Sequence, residues 1–209
     1  MSTRPDITIN GITLAGPVVP RQNELLTADA LEFLAQLHRE FAPRVAQLEH
    51  SGAQQPHREP ADPAARWQVL VQRNLAEPPS TFVYPRRLVR SEELIRCEGA
   101  PLSAGIVDFA LHIHRNACRL LSEGRAPFMS LLGMESEEEL QLWQDLFVRS
   151  EQLLGLPDCS IRAIHMQPGE PVMDEDEDGE ASSAAVLMTR TESGARPTTP
   201  PLTRVRAAA

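Results

Sequence analysis

The chain has no lysine: all 20 of its basic residues are arginine. That excludes Schiff-base chemistry and a phosphate-gripping P-loop lysine. Aromatic side chains make up only 4% of the residues, so a core must be built mostly from Leu, Val, Ile and Ala. The three cysteines, Cys97, Cys118 and Cys159, are far apart and form no CxxC pair. Neither a zinc knuckle nor a disulfide framework is indicated, and reduced thiols in packing roles are expected. No apolar run approaches the ~18 to 20 residues of a membrane span. The start, "MSTRPDITING", lacks the apolar centre of a secretory signal, and the end, "RVRAAA", is not a peroxisomal address of the SKL type. The net charge of −9 argues against nucleic acid as a partner, because phosphate binding needs clustered cations. A soluble cytoplasmic protein with neither a nucleic-acid nor a membrane partner is expected.

The organisation is readable from punctuation and periodicity. Residues 1–20 read as a polar, turn-rich lead. "LLTADALEFLAQLHREF" reads as a helix with Thr27 as N-cap, Leu26 stapling to Leu31, and Leu34, Leu37 and Phe41 extending the apolar stripe, until Pro43 breaks or kinks it. Residues 51–65, "SGAQQPHREPADPAA", have linker composition. "RWQVLVQRNL" reads as a short helix and "STFVYP" as a strand. A helix follows through "PLSAGIVDFALHIHRNACRLLSEGR", capped by Ser103 and stopped by Gly124. "PFMSLL" reads as a second strand. The next helix opens with a capping box of Ser136 and Glu139, carries an apolar face with Leu140, Trp143 and Phe147, and stops at Gly155 and Pro157. "SIRAIHM" reads as a third strand. Strand, helix, strand, helix, strand predicts parallel pairing. Beyond Gln167 the composition turns acidic and rich in Pro, Ser and Thr, and reads as disordered tail.

Two blocks resemble the malate synthases, particularly the shorter type of plants, fungi and many bacteria. One is "GITLAGPVVPRQNELLTADALEFLAQLHREFAPR". The other runs from Phe82 to about Ala163, where "VDFAL", "RNA", "MES", "LWQDLF" and "LGLP" stand in the family's order. The resemblance implies an α/β fold: a partial TIM (β/α) barrel with an N-terminal helix and a disordered C-terminal tail. The divisions expected are 1–50 as a clasp-like N-terminal helical segment, 51–65 as linker, 66–167 as partial barrel and 168–209 as tail. It also implies the family's chemistry, the condensation of acetyl-CoA with glyoxylate to malate in the glyoxylate cycle. There, a Glu and an Asp hold Mg2+ against glyoxylate, an Asp takes a proton from the acetyl methyl group, and an Arg stabilises the enolate.

Carried over position by position, much of that machinery is missing. The family's "V-R-P-R-G-W-H" segment falls on Val83 to Val89, so its catalytic Arg is Tyr84 here. A neutral phenol does not replace a permanently charged fork. Arg86, two residues on, is the remaining candidate catalytic residue. The strand-end Lys becomes Gly133. The magnesium Glu falls at or beside Pro168, with Glu170 two residues further, and bound Mg2+ is not expected. The implied reading is a truncated, diverged malate synthase homologue of impaired activity; a non-catalytic interaction module or an incomplete gene product are the alternatives. Three parallel strands with open edges invite self-association. Other motifs give no site. His112 and His114 diverge by roughly 200° on a helix and are expected on its surface. Asp174 to Gly179 mimics the start of an EF-hand loop, but position twelve is Ala185, not Glu. Ser103 lacks the Gly-x-Ser-x-Gly setting of a hydrolase.

Overall fold

The computed structural model describes residues 7–15, 18–48, 62–132 and 136–166. The expected tail at 168–209, most of the linker, Gly133 and the candidate acids at 170 and 174–178 lie outside the described residues. Two sheets and five helices share one hydrophobic core. The chain opens with β1 (Ile7–Ile9) and β2 (Ile12–Leu14), an antiparallel pair. The segment expected to be an irregular lead is therefore a hairpin. Its turn residues Asn10 and Gly11 both take positive φ, 53° and 81°, which suits the right-handed twist of the flanking strands. A short helix α1 (Gln22–Leu25) leads into α2 (Ala28–Val45). Thr27 caps α2, its hydroxyl accepting from the Ala30 amide at 3.2 Å. Pro43 lies inside α2 and does not end it.

Helix α3 (Pro63–Asn74) starts earlier than its apolar pattern indicates. The Asp62 carboxylate caps it by accepting from Ala64 and Ala65, and Pro63 occupies the first turn, where a missing N–H costs nothing. Residues 63–65, of linker composition, thus belong to the helix. Next come β3 (Phe82–Val83), β4 (Ser91–Cys97) and β5 (Ala100–Ser103). The β4–β5 hairpin, unforeseen in the sequence, turns on Glu98 and Gly99, again at positive φ of 52° and 85°. The first sheet has the order β1-β2-β4-β5, so the N-terminal hairpin extends this later one. Helix α4 (Ala104–Ser122) begins at Ser103, whose hydroxyl accepts from the Ile106 amide and donates to the Leu88 carbonyl at 2.7 Å. Strand β6 (Phe128–Leu132), helix α5 (Glu137–Leu154) and strand β7 (Arg162–Met166) complete the described chain.

The second sheet, β3-β6-β7, is parallel throughout, with Phe82, Phe128 and Arg162 in register, and Val83, Met129 and Ala163 next to them. Alternation then separates two faces. Val83 and Met129 are fully buried toward the helices. Phe82 and Phe128 stack at 5.2 Å on the other face, with the Arg162 guanidinium 5.9 Å from the Phe128 ring. The three strands do not close into a barrel. Helix α4 is the axis of the core, packed by α2, α3, α5, β4 and β5. Phe109 meets Trp143 edge-on at 5.8 Å and Phe147 at 5.4 Å. Glu151, buried near the end of α5, accepts from the Cys159 and Ile161 amides at 3.1 and 2.9 Å and so fixes the approach to β7. Cys97 is buried, but Cys118 and Cys159 are exposed, so two of the three thiols are not packing residues.

One glycine is dictated by space. A Cβ on Gly105 would stand 2.6 Å from the Arg86 carbonyl oxygen and 3.1 Å from the Leu88 backbone nitrogen. Backbone atoms cannot yield as a side-chain tip can. Gly105→Ala should therefore destabilise by about 1 to 3 kcal/mol, although helix propensity alone favours alanine by about 1 kcal/mol. Urea denaturation monitored by Trp fluorescence reads the sign; a gain in stability would refute the close approach of this loop to α4.

Candidate functional site

The position the resemblance gives to the catalytic guanidinium lies just past the end of β3. Tyr84 stands there, 36% exposed, and the chain then turns inward. Leu88 is fully buried, and Arg86 passes its backbone over Gly105 at the start of α4. The Arg86 side chain follows, with 11% of its surface exposed. Its Nε and Nη2 donate to the two oxygens of Asp108 at 2.9 and 2.8 Å, a bidentate pair. Its Nη1 donates to Glu92 Oε2 at 2.7 Å. The Arg86 amide also donates to Asp108, at 2.9 Å. Asp108 sits in α4 and Glu92 in β4, so one side chain joins three segments. Both acids are buried. Their fields hold the Arg86 proton even more firmly than usual, outweighing the cost of burial.

The arrangement sets what this guanidinium can do. A cation stabilises an enolate when its charge is unspent and its N–H groups face the site where charge develops. Arg86 is flanked by two carboxylates within hydrogen-bond distance. If both acids are ionised, the trio's formal charge is negative, and the field of Arg86 is cancelled before it reaches a neighbouring ligand. Arg87 makes a parallel contact, with Nη2 3.4 Å from Glu139 Oε2 at the first turn of α5. The Glu139 amide donates to the Ser136 hydroxyl at 3.1 Å, as the capping sequence predicts, while the carboxylate reaches Arg87. Among the described residues no three His, Cys, Asp or Glu side chains gather to hold a metal ion. Glu92 and Asp108 converge, and Arg86 engages both. The positions of Gly133, Pro168 and Glu170 fall outside the described residues.

A second polar cluster lies between α3 and α4, and the sequence reading missed it. His112, expected on the surface, is 1% exposed. Its Nδ1 is 3.3 Å from Asn116 Nδ2, which also reaches the Asn74 carbonyl at 3.3 Å. Burial, assisted by the Arg73 charge, pushes the imidazole down to about 3. The ring is therefore neutral near pH 7. Four atoms here are buried without a partner: His112 Nε2, Asn74 Oδ1, and Nε and Nη2 of Arg73.

Removing Arg86 would leave two buried carboxylates uncompensated. Arg86→Met should cost about 3 to 5 kcal/mol, against under about 1 kcal/mol for Arg149→Ala, which breaks an exposed pair with Glu40. Paired urea titrations measure the difference, and equal losses would contradict a buried trio. For His112 the folded state resists a proton that the unfolded chain accepts near 6.5. Its stabilisation is complete above about pH 6.5 and is lost as pH falls toward about 3. The slope approaches about 1 kcal/mol per pH unit for one proton. His38 and His114 are pushed the same way by burial, so the diagnostic quantity is the difference between wild type and His112→Asn. Superimposable pH profiles would show that His112 is not excluded from protonation.

Comparison with known proteins places these features in a family. The family model described as malate synthase, TIM barrel domain, matches residues 81–175, and that described as malate synthase, N-terminal domain, matches residues 10–48. The glyoxysomal malate synthase of Candida tropicalis is 35% identical over 100 residues, covering 46% of this chain and 18% of the relative. The malate synthase of Myxococcus xanthus is 36% identical over 97 residues, 45% of this chain and 18% of the relative. The malate synthase of Streptomyces clavuligerus is 25% identical over 241 aligned positions, with 72% of this chain and 44% of the relative covered. As 72% of this chain is about 150 of its 209 residues, about 90 aligned positions of that relative have no counterpart here. The matched stretches thus span less than half the length of each of these relatives. With both domain models matched in succession along it, this chain is a malate synthase-like protein that carries only part of the family's length.

Proposed function

We propose that the chain does not by itself catalyse the condensation of acetyl-CoA with glyoxylate, and that its parallel sheet is an incomplete segment of the family's barrel. The observation that carries this reading is the occupation of Arg86 by Asp108 and Glu92, beside a tyrosine where the resemblance puts the catalytic arginine. Loss of one such oxyanion-stabilising donor costs about 10² to 10³ in rate. The open β3-β6-β7 sheet supports the same reading, because a barrel site is assembled from the ends of several strands. On this view the retained βα layer is a scaffold whose buried trio maintains the fold, and Mg2+ is not part of its working state.

The test is a thiol-release assay on purified full-length protein with acetyl-CoA, glyoxylate and Mg2+. The expected rate is that of the protein-free blank. Release that scales with protein concentration and requires glyoxylate would overturn the proposal.

A further inference from the structure

Among the described residues β7 has a partner on one side only, because it ends the sheet order β3-β6-β7. One bond tells which of its backbone groups face the open side. The Arg162 amide donates to the Pro127 carbonyl at 3.0 Å, so the Arg162 backbone is turned toward β6. Backbone groups alternate sides along a strand. Ile164 therefore also bonds toward β6, while Ala163 and His165 aim N–H and C=O outward. Ile161, the preceding outward residue, spends its amide on Glu151 at 2.9 Å, so the open edge begins at Ala163. The other edges are better guarded. On the far side of the same sheet, β3 has two residues set between Pro79 and Pro85, and the Ser80 hydroxyl donates to the Phe82 carbonyl at 2.6 Å. The first sheet is flanked by β1 and β5, of three and four residues, and β5 contains Pro101. Strand β7 has five residues and no proline, and an unpaired row of that kind is a template for another strand.

The occupant that fits this edge is its own copy. Turned about a two-fold axis through Ile164, β7 meets β7 antiparallel, and Ala163 comes opposite His165 of the partner subunit. These are the two outward residues, so they exchange both bonds as a hydrogen-bonded antiparallel pair does. Ile164 meets its own copy at the non-bonded position, where Cβ atoms stand about 4.5 to 5.5 Å apart. It lies on the face that carries Phe128 and Arg162, away from the helices. Arg162 comes opposite position 166, a methionine, so no like charges are paired. Later segments of the same chain fit less well. Pro168 and Pro171 lack the N–H a ladder needs, and residues 174–178 are all acidic and poor strand formers. We propose that the chain forms a two-fold dimer through the β7 edge, which joins two three-stranded sheets into one.

Sedimentation equilibrium on the full-length protein tests this. The mass should rise with concentration from that of the monomer to twice that value and stop there. Ala163→Pro removes an outward N–H and spares the ladder to β6. It should weaken dimerisation by about tenfold or more, since each dimer loses its bond twice. Ile164→Lys sets like charges against each other across the axis and should weaken it in the same direction. It leaves the backbone unchanged, which keeps the test valid if the proline unfolds β7, and circular dichroism shows that the monomeric variant is folded. In a Cys118→Ser, Cys159→Ser background, Ile164→Cys should link two chains through a disulfide on mild oxidation. A monomer at every concentration would overturn the proposal and leave the edge to solvent or to later residues of the same chain. Mass growing past the dimer, or a dimer undiminished by both substitutions, would overturn it by placing the contact elsewhere. A dimer that Ile164→Cys leaves unlinked would refute the axis through Ile164. An antiparallel junction does not continue the parallel order of a barrel, so the dimer and the thiol-release result stand or fall separately.

Discussion

The rest of the structure depends on the buried contact of Arg86 with Asp108 and Glu92. Three ionised groups in a core are costly to desolvate, and a well-packed apolar trio would serve stability as well or better. What the ions add is register. A bidentate Arg–carboxylate pair fixes direction as well as distance, so the segment leaving β3, the first residues of β4 and the fifth residue of α4 have one mutual arrangement. Gly105 belongs to the same constraint, because the Arg86 carbonyl can lie against α4 only where no Cβ intervenes. Ser103 adds the cap and the tie to Leu88. Four short sequence features thus place α4, and α4 in turn places the other helices.

The legible parts of this fold were those written in adjacent residues. Thr27, Ser103 and Ser136 cap their helices because an N-cap bond spans three residues and needs nothing else. The parallel sheet followed from strand and helix alternation. The two hairpins went unread although Asn10-Gly11 is a strong turn signal. Their strands are short, and β1, β2 and β5 have three or four residues each, too few for alternation to rise above the surrounding turns. Pairing between β2 and β4 spans about eighty residues of chain, and no local pattern encodes that.

The polar sites were illegible for a related reason. Arg86 was singled out through a resemblance, but its partners lie 6 and 22 residues away on different elements, and a sequence shows no such convergence. His112 was assigned to a helix surface on the assumption that α4 has one. A helix packed by three others and by a sheet has little solvent face, so histidine and asparagine at i and i+4 form an internal pair. The first half of α4, from Ala104 to Ile113, is almost wholly apolar apart from Asp108 and His112, and polar residues in such a stretch are buried with it and need partners.

The two arginine clusters show how one residue type takes opposite roles. Arg86 meets two carboxylates in the core, and its charge is consumed in holding segments together. On Arg73 the Nε and Nη2 atoms are buried with no hydrogen-bond partner. The difference comes from what stands opposite, not from the guanidinium. Asp108, one turn before His112 in α4, is already taken by Arg86, and from position 109 to 116 the helix carries no acid. An arginine beside a helix whose acid is already engaged gains no counter-charge from it, whereas Arg86 meets two carboxylates and is locked into the core.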